Sequence, residues 1–206
     1  MNRKLRRKQK KEAKKNRSLQ QKPEEVTGLQ TAKELYQLGR TNEAVQILEN
    51  ILGANPKSLD GVSLLAIIHA HDGDFKTAIE LFKKATLISP ENAMVHFNLG
   101  RALDDVGMTG EAILSYNHSL KIDPNRVDVH INLGSLLINT GDFDGAAAHI
   151  KQAIEIEPDN ALAHCNLAVV LKNTGHFEEA VLSCAHAIEI NKNYVSAHYN
   201  LACVYL

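Results

Sequence analysis

The chain has 206 residues, of which 44% are hydrophobic but only 5% aromatic, with no Trp, so a core has to be assembled from Leu, Ile, Val and Ala. The formal charge of -1 conceals an asymmetry: residues 1–17 hold ten of the 23 Lys and Arg against the single acid Glu12, leaving the remainder at -10. No run approaches the roughly 18 apolar residues of a membrane span, the basic start lacks the apolar stretch of a secretory signal, and three cysteines without a CxxC pair favour a reducing compartment; a cytoplasmic chain is expected.

Residues 1–21 contain few sizeable apolar side chains, Met1, Leu5 and Leu19, among Lys, Arg, Gln and Asn. Such a segment cannot bury enough surface to fold on its own, so a disordered or transiently helical tail is predicted, set off from the rest by Pro23.

From residue 22 onward the chain is expected to be one solenoid with a period of 34 residues: repeats 25–58, 59–92, 93–126, 127–160 and 161–194, then an incomplete sixth at 195–206. A hexapeptide marks the period four times, VHFNLG at 95–100, VHINLG at 129–134, AHCNLA at 163–168 and AHYNLA at 197–202. Position 15 of each complete unit is glycine (Gly39, Gly73, Gly107, Gly141, Gly175), as a left-handed helix cap requires. Position 32 is Pro56, Pro90, Pro124 and Pro158, which stops the second helix; Lys192 replaces it in the fifth unit, so that turn is expected to be less well specified.

Before the glycine, apolar and small residues recur at positions 4, 7, 8 and 11; after it they recur at 20, 24, 27 and 28. Both are helical spacings, and each unit reads as two antiparallel helices. Position 8 is always Gly or Ala and position 20 always Ala, two small residues expected to face each other and let the helices approach. Asp74 and Asp142 stand where they can cap second helices.

These features closely resemble the tetratricopeptide repeat (TPR) family over residues 25–206. The resemblance implies an all-α, right-handed helical solenoid of antiparallel helix pairs. It departs from the family pattern at position 4, where the frequent Trp is Gly28, Val62, His96, His130, His164 and His198, and in the first unit, where Thr31 and Ile51 replace Leu and a small residue.

One histidine per unit could suggest a metal, but equivalent residues on stacked helices stand about 8–10 Å apart, too far to share an ion about 2 Å from each ligand. Packing is the simpler reading, and no metal or cofactor is expected. His69 and His71 read as an ordinary helix end, Cys184 as a small buried hydrophobe, and Cys165 and Cys203 as open. No nucleophile, zinc or phosphate-loop motif occurs, so a non-enzymatic chain is expected.

The asparagines at position 6, Asn98, Asn132, Asn166 and Asn200, point away from the helix stripe that faces the core. An amide both donates and accepts, which suits pairing with a peptide group. In TPR proteins the first helices line a concave peptide-binding groove, and the series resembles the asparagine ladder in the TPR arm of O-linked N-acetylglucosamine transferases. Met94, Phe97, Arg101, Ile131, Asn139, Asn173 and Tyr199 are the accompanying groove candidates, a mixed set suited to an extended protein segment. The alternative is that position 6 merely bonds an adjacent helix. The carboxylate clamp of TPR co-chaperones is not expected, because position 5 is never Lys.

Two other readings stay open. The chain could be the repeat arm of a larger glycosyltransferase, since Leu201, Ala202 and Tyr205 begin a repeat that lacks its second helix; the same stripe could serve self-association. The basic tail 1–17 could tether the chain to RNA or an anionic membrane, although no aromatic residues interleave it for base stacking.

Overall fold

The computed structural model describes residues 23–204. The basic tail, and Tyr205 of the terminal stripe, lie outside them. The described residues form eleven α-helices: α1 Pro23–Gln37, α2 Thr41–Ala54, α3 Leu59–His71, α4 Phe75–Ile88, α5 Ala93–Asp105, α6 Thr109–Ile122, α7 Val127–Thr140, α8 Phe143–Ile156, α9 Ala161–Asn173, α10 Phe177–Ile190 and α11 Val195–Val204. The protein is an all-α solenoid of paired helices. Among the described residues, no helix is long and apolar enough to cross a membrane.

The described residues divide into two compact units, the first ending at Asp74 and the second beginning at Phe75. In the first, α1 packs against α2, and both touch α3. Leu29, Ala32, Ala44, Leu48, Val62, Leu65, Ala66 and Ile68 are its buried apolar residues. Pro23 opens α1, where its missing N–H costs nothing. The Tyr36 hydroxyl reaches His71 Nδ1 at 2.6 Å, and Asn55 Nδ2 donates to the Glu25 carboxylate at 3.0 Å. His69 Nδ1 lies 3.3 Å from Asp74, so the two histidines ending α3 have separate partners.

In the second unit α5 and α6, α7 and α8, and α9 and α10 form successive pairs, and each of α5, α7 and α9 also touches the next first helix in the series. Ala112, Ala146 and Ala180 at position 20, and Tyr116, Ile150 and Cys184 at position 24, have no exposed surface. The close approach is governed by a different pairing from the one expected: a Cβ on Gly134 would meet Ile150 at 2.7 Å but the Ala146 carbonyl only at 3.6 Å. Position 8 is therefore small chiefly to admit the position 24 side chain.

All five position 15 glycines have positive φ, between 74° and 82°. Their surroundings are open, so backbone conformation rather than space demands glycine. Asp142 caps α8 by accepting from Gly145 N at 3.0 Å. First helices are capped by residues the sequence reading passed over: Ser58, Asn92 and Asn160 accept from Gly61, Val95 and Ala163 N. The Lys192 turn closes like its proline counterparts, with Tyr194 N donating to Asn191 O at 3.0 Å as Asn92 N does to Ser89 O at 3.2 Å.

The irregular first repeat has a local explanation. A Cβ on Gly28 would lie 3.1 Å from Ile51 Cδ1. The large side chain at position 27 thus fills the space left by the missing one at position 4.

Candidate functional site

The four asparagines stand on α5, α7, α9 and α11, all half-buried. Three have their amide NH2 committed. Asn132 Nδ2 donates to Asp128 O at 2.7 Å within its own helix, Asn166 Nδ2 to Ser135 Oγ on α7 at 2.8 Å, and Asn200 Nδ2 to Cys165 Sγ on α9 at 3.2 Å. Two of the four therefore bridge neighbouring first helices, as the alternative reading anticipated. In each of the three, the amide group is oriented by the protein while its Oδ1 accepts no hydrogen bond from the described residues.

The neighbouring candidates separate into floor and surface. Phe97 and Ile131 are only 7% and 6% exposed. Ile131 is enclosed by Ala153 and Ala163, and Phe97 lies against Tyr116 with ring centroids 6.1 Å apart. They support the first-helix face and offer a ligand little area. Met94, Arg101, Asn139, Asn173 and Tyr199 are exposed. Asn173 Nδ2 back-bonds to Val169 O at 2.7 Å.

Arg126 organises the α5–α7 corner, a role the sequence reading did not assign. Its guanidinium pairs with Asp128, donates to Met94 Sδ at 3.5 Å and lies 5.1 Å from the centre of the Phe97 ring. Arg101 approaches the same ring at 5.9 Å. Beneath them, burial raises the Asp104 pKa, aided by the charge of Asp105, and burial likewise raises that of the Tyr116 phenol. The Tyr116 hydroxyl is buried without a hydrogen-bond partner.

The position 4 histidines share one geometry. The Nε2 atoms of His96, His130, His164 and His198 bond the carbonyls of Pro90, Pro124, Pro158 and Lys192, each six residues earlier, at 2.8–3.0 Å. They fasten the start of a first helix to the turn before it. Among the described residues, no group of three or more His, Cys, Asp and Glu side chains is arranged to hold a metal ion. Cys165 and Cys184 are buried and Cys203 is half-buried; all three are free thiols.

Comparison with known proteins follows the same periodicity. Residues 29–90 match a family described as tetratricopeptide repeat, residues 95–126 and 161–194 match a second family of that description, and residues 134–175 match one described as TPR repeat. An uncharacterized protein of Sinorhizobium fredii, y4yS, is 33% identical over 97 residues, covering 47% of this chain and 53% of that protein. Protein O-mannosyl-transferase F38B6.6 of Caenorhabditis elegans is 30% identical over 76 residues, 34% of this chain and 11% of the transferase. The chain thus spans about half the length of one of these relatives and about a tenth of the other.

Among solved structures, MamA superposes with a TM-score of 0.74 at 21% identity, covering 78% of this chain and 94% of MamA. YrrB, described as a TPR protein with an unusual peptide-binding site, gives 0.71 at 20% identity over 84% of this chain and 89% of its own. A tetratricopeptide repeat protein of Parabacteroides merdae gives 0.79 at 18% identity, over 89% and 73%. At these identities the likeness carries the fold.

Proposed function

The chain belongs to the tetratricopeptide repeat family, whose fold supports a protein-interaction scaffold, and we propose that this one binds an extended segment of a partner protein along its first helices. Asn98, Asn132, Asn166 and Asn200 supply the contacts to the segment's backbone. The observation that carries this reading is the shared state of three of them: an NH2 held by protein atoms and an Oδ1 left to accept. Each Oδ1 takes a backbone N–H of the segment, which fixes its path without reading its sequence. Met94, Arg101 and Tyr199 meet its side chains, while Phe97 and Ile131 stiffen the surface beneath. The peptide-binding site named for YrrB, on the same fold, is a precedent for the class of ligand.

Replacing the four asparagines by Ala tests the reading. Circular dichroism should show unchanged helicity and a melting midpoint lowered only by the loss of partly exposed hydrogen bonds, each about 0.5–1.5 kcal/mol. Partners captured by the wild type should be lost. Equal capture by the variant would remove the proposal.

A second reading, the repeat arm of a larger glycosyltransferase, draws support from the matched segment within an O-mannosyl-transferase. Sequencing the transcript beyond codon 206 separates the two: a catalytic domain in the same frame supports the arm, and an immediate stop codon contradicts it.

A further inference from the structure

Three first-helix histidines face three histidines on second helices. Ring centroids are 5.5 Å apart for His96 and His118, 5.3 Å for His130 and His149, and 5.5 Å for His164 and His186. His118 and His186 are exposed, so solvent screens the outer pairs. The middle pair is different: His130 is only 6% exposed, and its Nδ1 lies 3.1 Å from His149 Nδ1.

The proton positions follow from the partners. A carbonyl oxygen can only accept, so His130 Nε2, 3.0 Å from Pro124 O, carries a hydrogen. In the neutral ring His130 Nδ1 is then a lone pair, and His149 Nδ1 must donate to it. His149 Nε2 is left as the first place for an added proton, which leaves the inter-ring bond intact. The next proton has to enter at His130 Nδ1. Two N–H groups then face each other across the gap, and two charged rings stand side by side.

We propose that His130 and His149 form a proton-sensitive clasp between α7 and α8, closed while the two rings share at most three protons and opened when acid adds the fourth. The groups that bear on His149 are His130 from α7 and Asp142 from the head of α8. α9, packed against both helices, carries His164, Cys165 and Lys172. At the His130 end, Asp123 and Arg126 flank Pro124, and the Arg126 guanidinium is taken up by Asp128. Burial foremost, and His130 second, hold the His149 pKa below the ordinary imidazole value, against an upward pull from Asp142. A lowered folded-state pKa means that unfolding takes up protons. The part of the stabilisation that comes from His149 is complete above the ordinary value, near 6.5, and is lost as pH falls through its folded-state value, one proton before the clasp opens.

The test uses the full chain. Unfolding by urea is followed between pH 8 and pH 5 for the wild type and for His149→Gln, whose amide can still donate to His130. The slope of the logarithm of the unfolding constant against pH counts protons taken up. The clasp predicts about one proton more for the wild type in the acid range, a ratio between the two proteins that grows about tenfold per pH unit. Parallel profiles would overturn it. Should the variant fail to fold, NMR of the wild-type imidazoles decides: loss in acid of the hydrogen bond between His149 Nδ1 and His130 Nδ1 supports the clasp, and its persistence down to pH 5 rejects it.

Discussion

Gly100 lies directly beneath the ring of Tyr116, so that a Cβ added to the glycine would stand 2.7 Å from two ring carbons. Tyr116 is fully buried and has no room to retreat. Gly100→Ala therefore sets a helix-propensity gain of about 1 kcal/mol against an overpacking cost of about 1–3 kcal/mol. The clash should prevail and lower the thermal midpoint by about 2–4 °C for each kcal/mol of net loss. Gly134→Ala, whose Cβ would meet Ile150 at 2.7 Å, should behave alike. Position 8 carries Ala32, Ala66 and Ala168 in the other complete repeats, opposite Leu48, Phe82 and Cys184 at position 24, so the expected clash is specific to the 2.7 Å approaches at Gly100 and Gly134.

The exchange of sizes between Gly28 and Ile51 predicts strong coupling. In the third repeat the same two positions hold His96 and Ser119, the latter fully buried and donating to Ala93 O at 2.8 Å. Gly28→His alone should clash with Ile51, and Ile51→Ser alone should leave a void. Together they rebuild the third-repeat arrangement. A double-mutant cycle by urea unfolding should show an interaction energy of at least about 1 kcal/mol in favour of the double variant; additive losses would deny the exchange.

Tyr116→Phe should leave stability equal or raise it by about 1 kcal/mol, because it removes a buried hydroxyl with no partner and keeps the ring over Gly100. Calorimetry of the two proteins checks this. A clear loss of stability would mean that the hydroxyl has a bonding role.

The cysteines should differ in reactivity. Burial raises the Cys165 thiol pKa and pushes that of Cys184 up to about 11, and both are buried, whereas Cys203 is half-buried. The thiolate is the reactive form. Labelling the native chain with a thiol reagent at pH 7.5 and mapping by mass spectrometry should find Cys203 modified first and Cys184 last.

The helix pairs could be read from the sequence because their punctuation is local. Positive φ at Gly39 or Gly141 is a property of one residue, and the helical spacing of Leu99, Gly100 and Leu103 depends on one helix. Relationships across helices were harder to see. Gly28 and Ile51 read separately as two departures from the family pattern, although they form one compensated contact. His118, His149 and His186 carried no visible signal because their partners are 19 to 22 residues away, and His149 does not share its repeat position with the other two. The asparagine series was visible as a face of the first helices, but its split into a tethered NH2 and a free Oδ1 needed the positions of Ser135 and Cys165. Phe97 and Ile131 lie on that face yet are covered by neighbouring side chains, which periodicity alone does not register.

The most direct test of the account is the affinity of a bound peptide with and without its backbone donors. Peptides selected from a random library on the wild-type chain would be N-methylated one residue at a time and titrated against the wild type and against the variant with Ala at positions 98, 132, 166 and 200. Methylation at residues facing the asparagines should weaken binding to the wild type about five- to tenfold, the worth of one hydrogen bond near 1–1.4 kcal/mol, and should leave the already weakened binding of the variant unchanged. Equal losses in both proteins, or none in either, would contradict it.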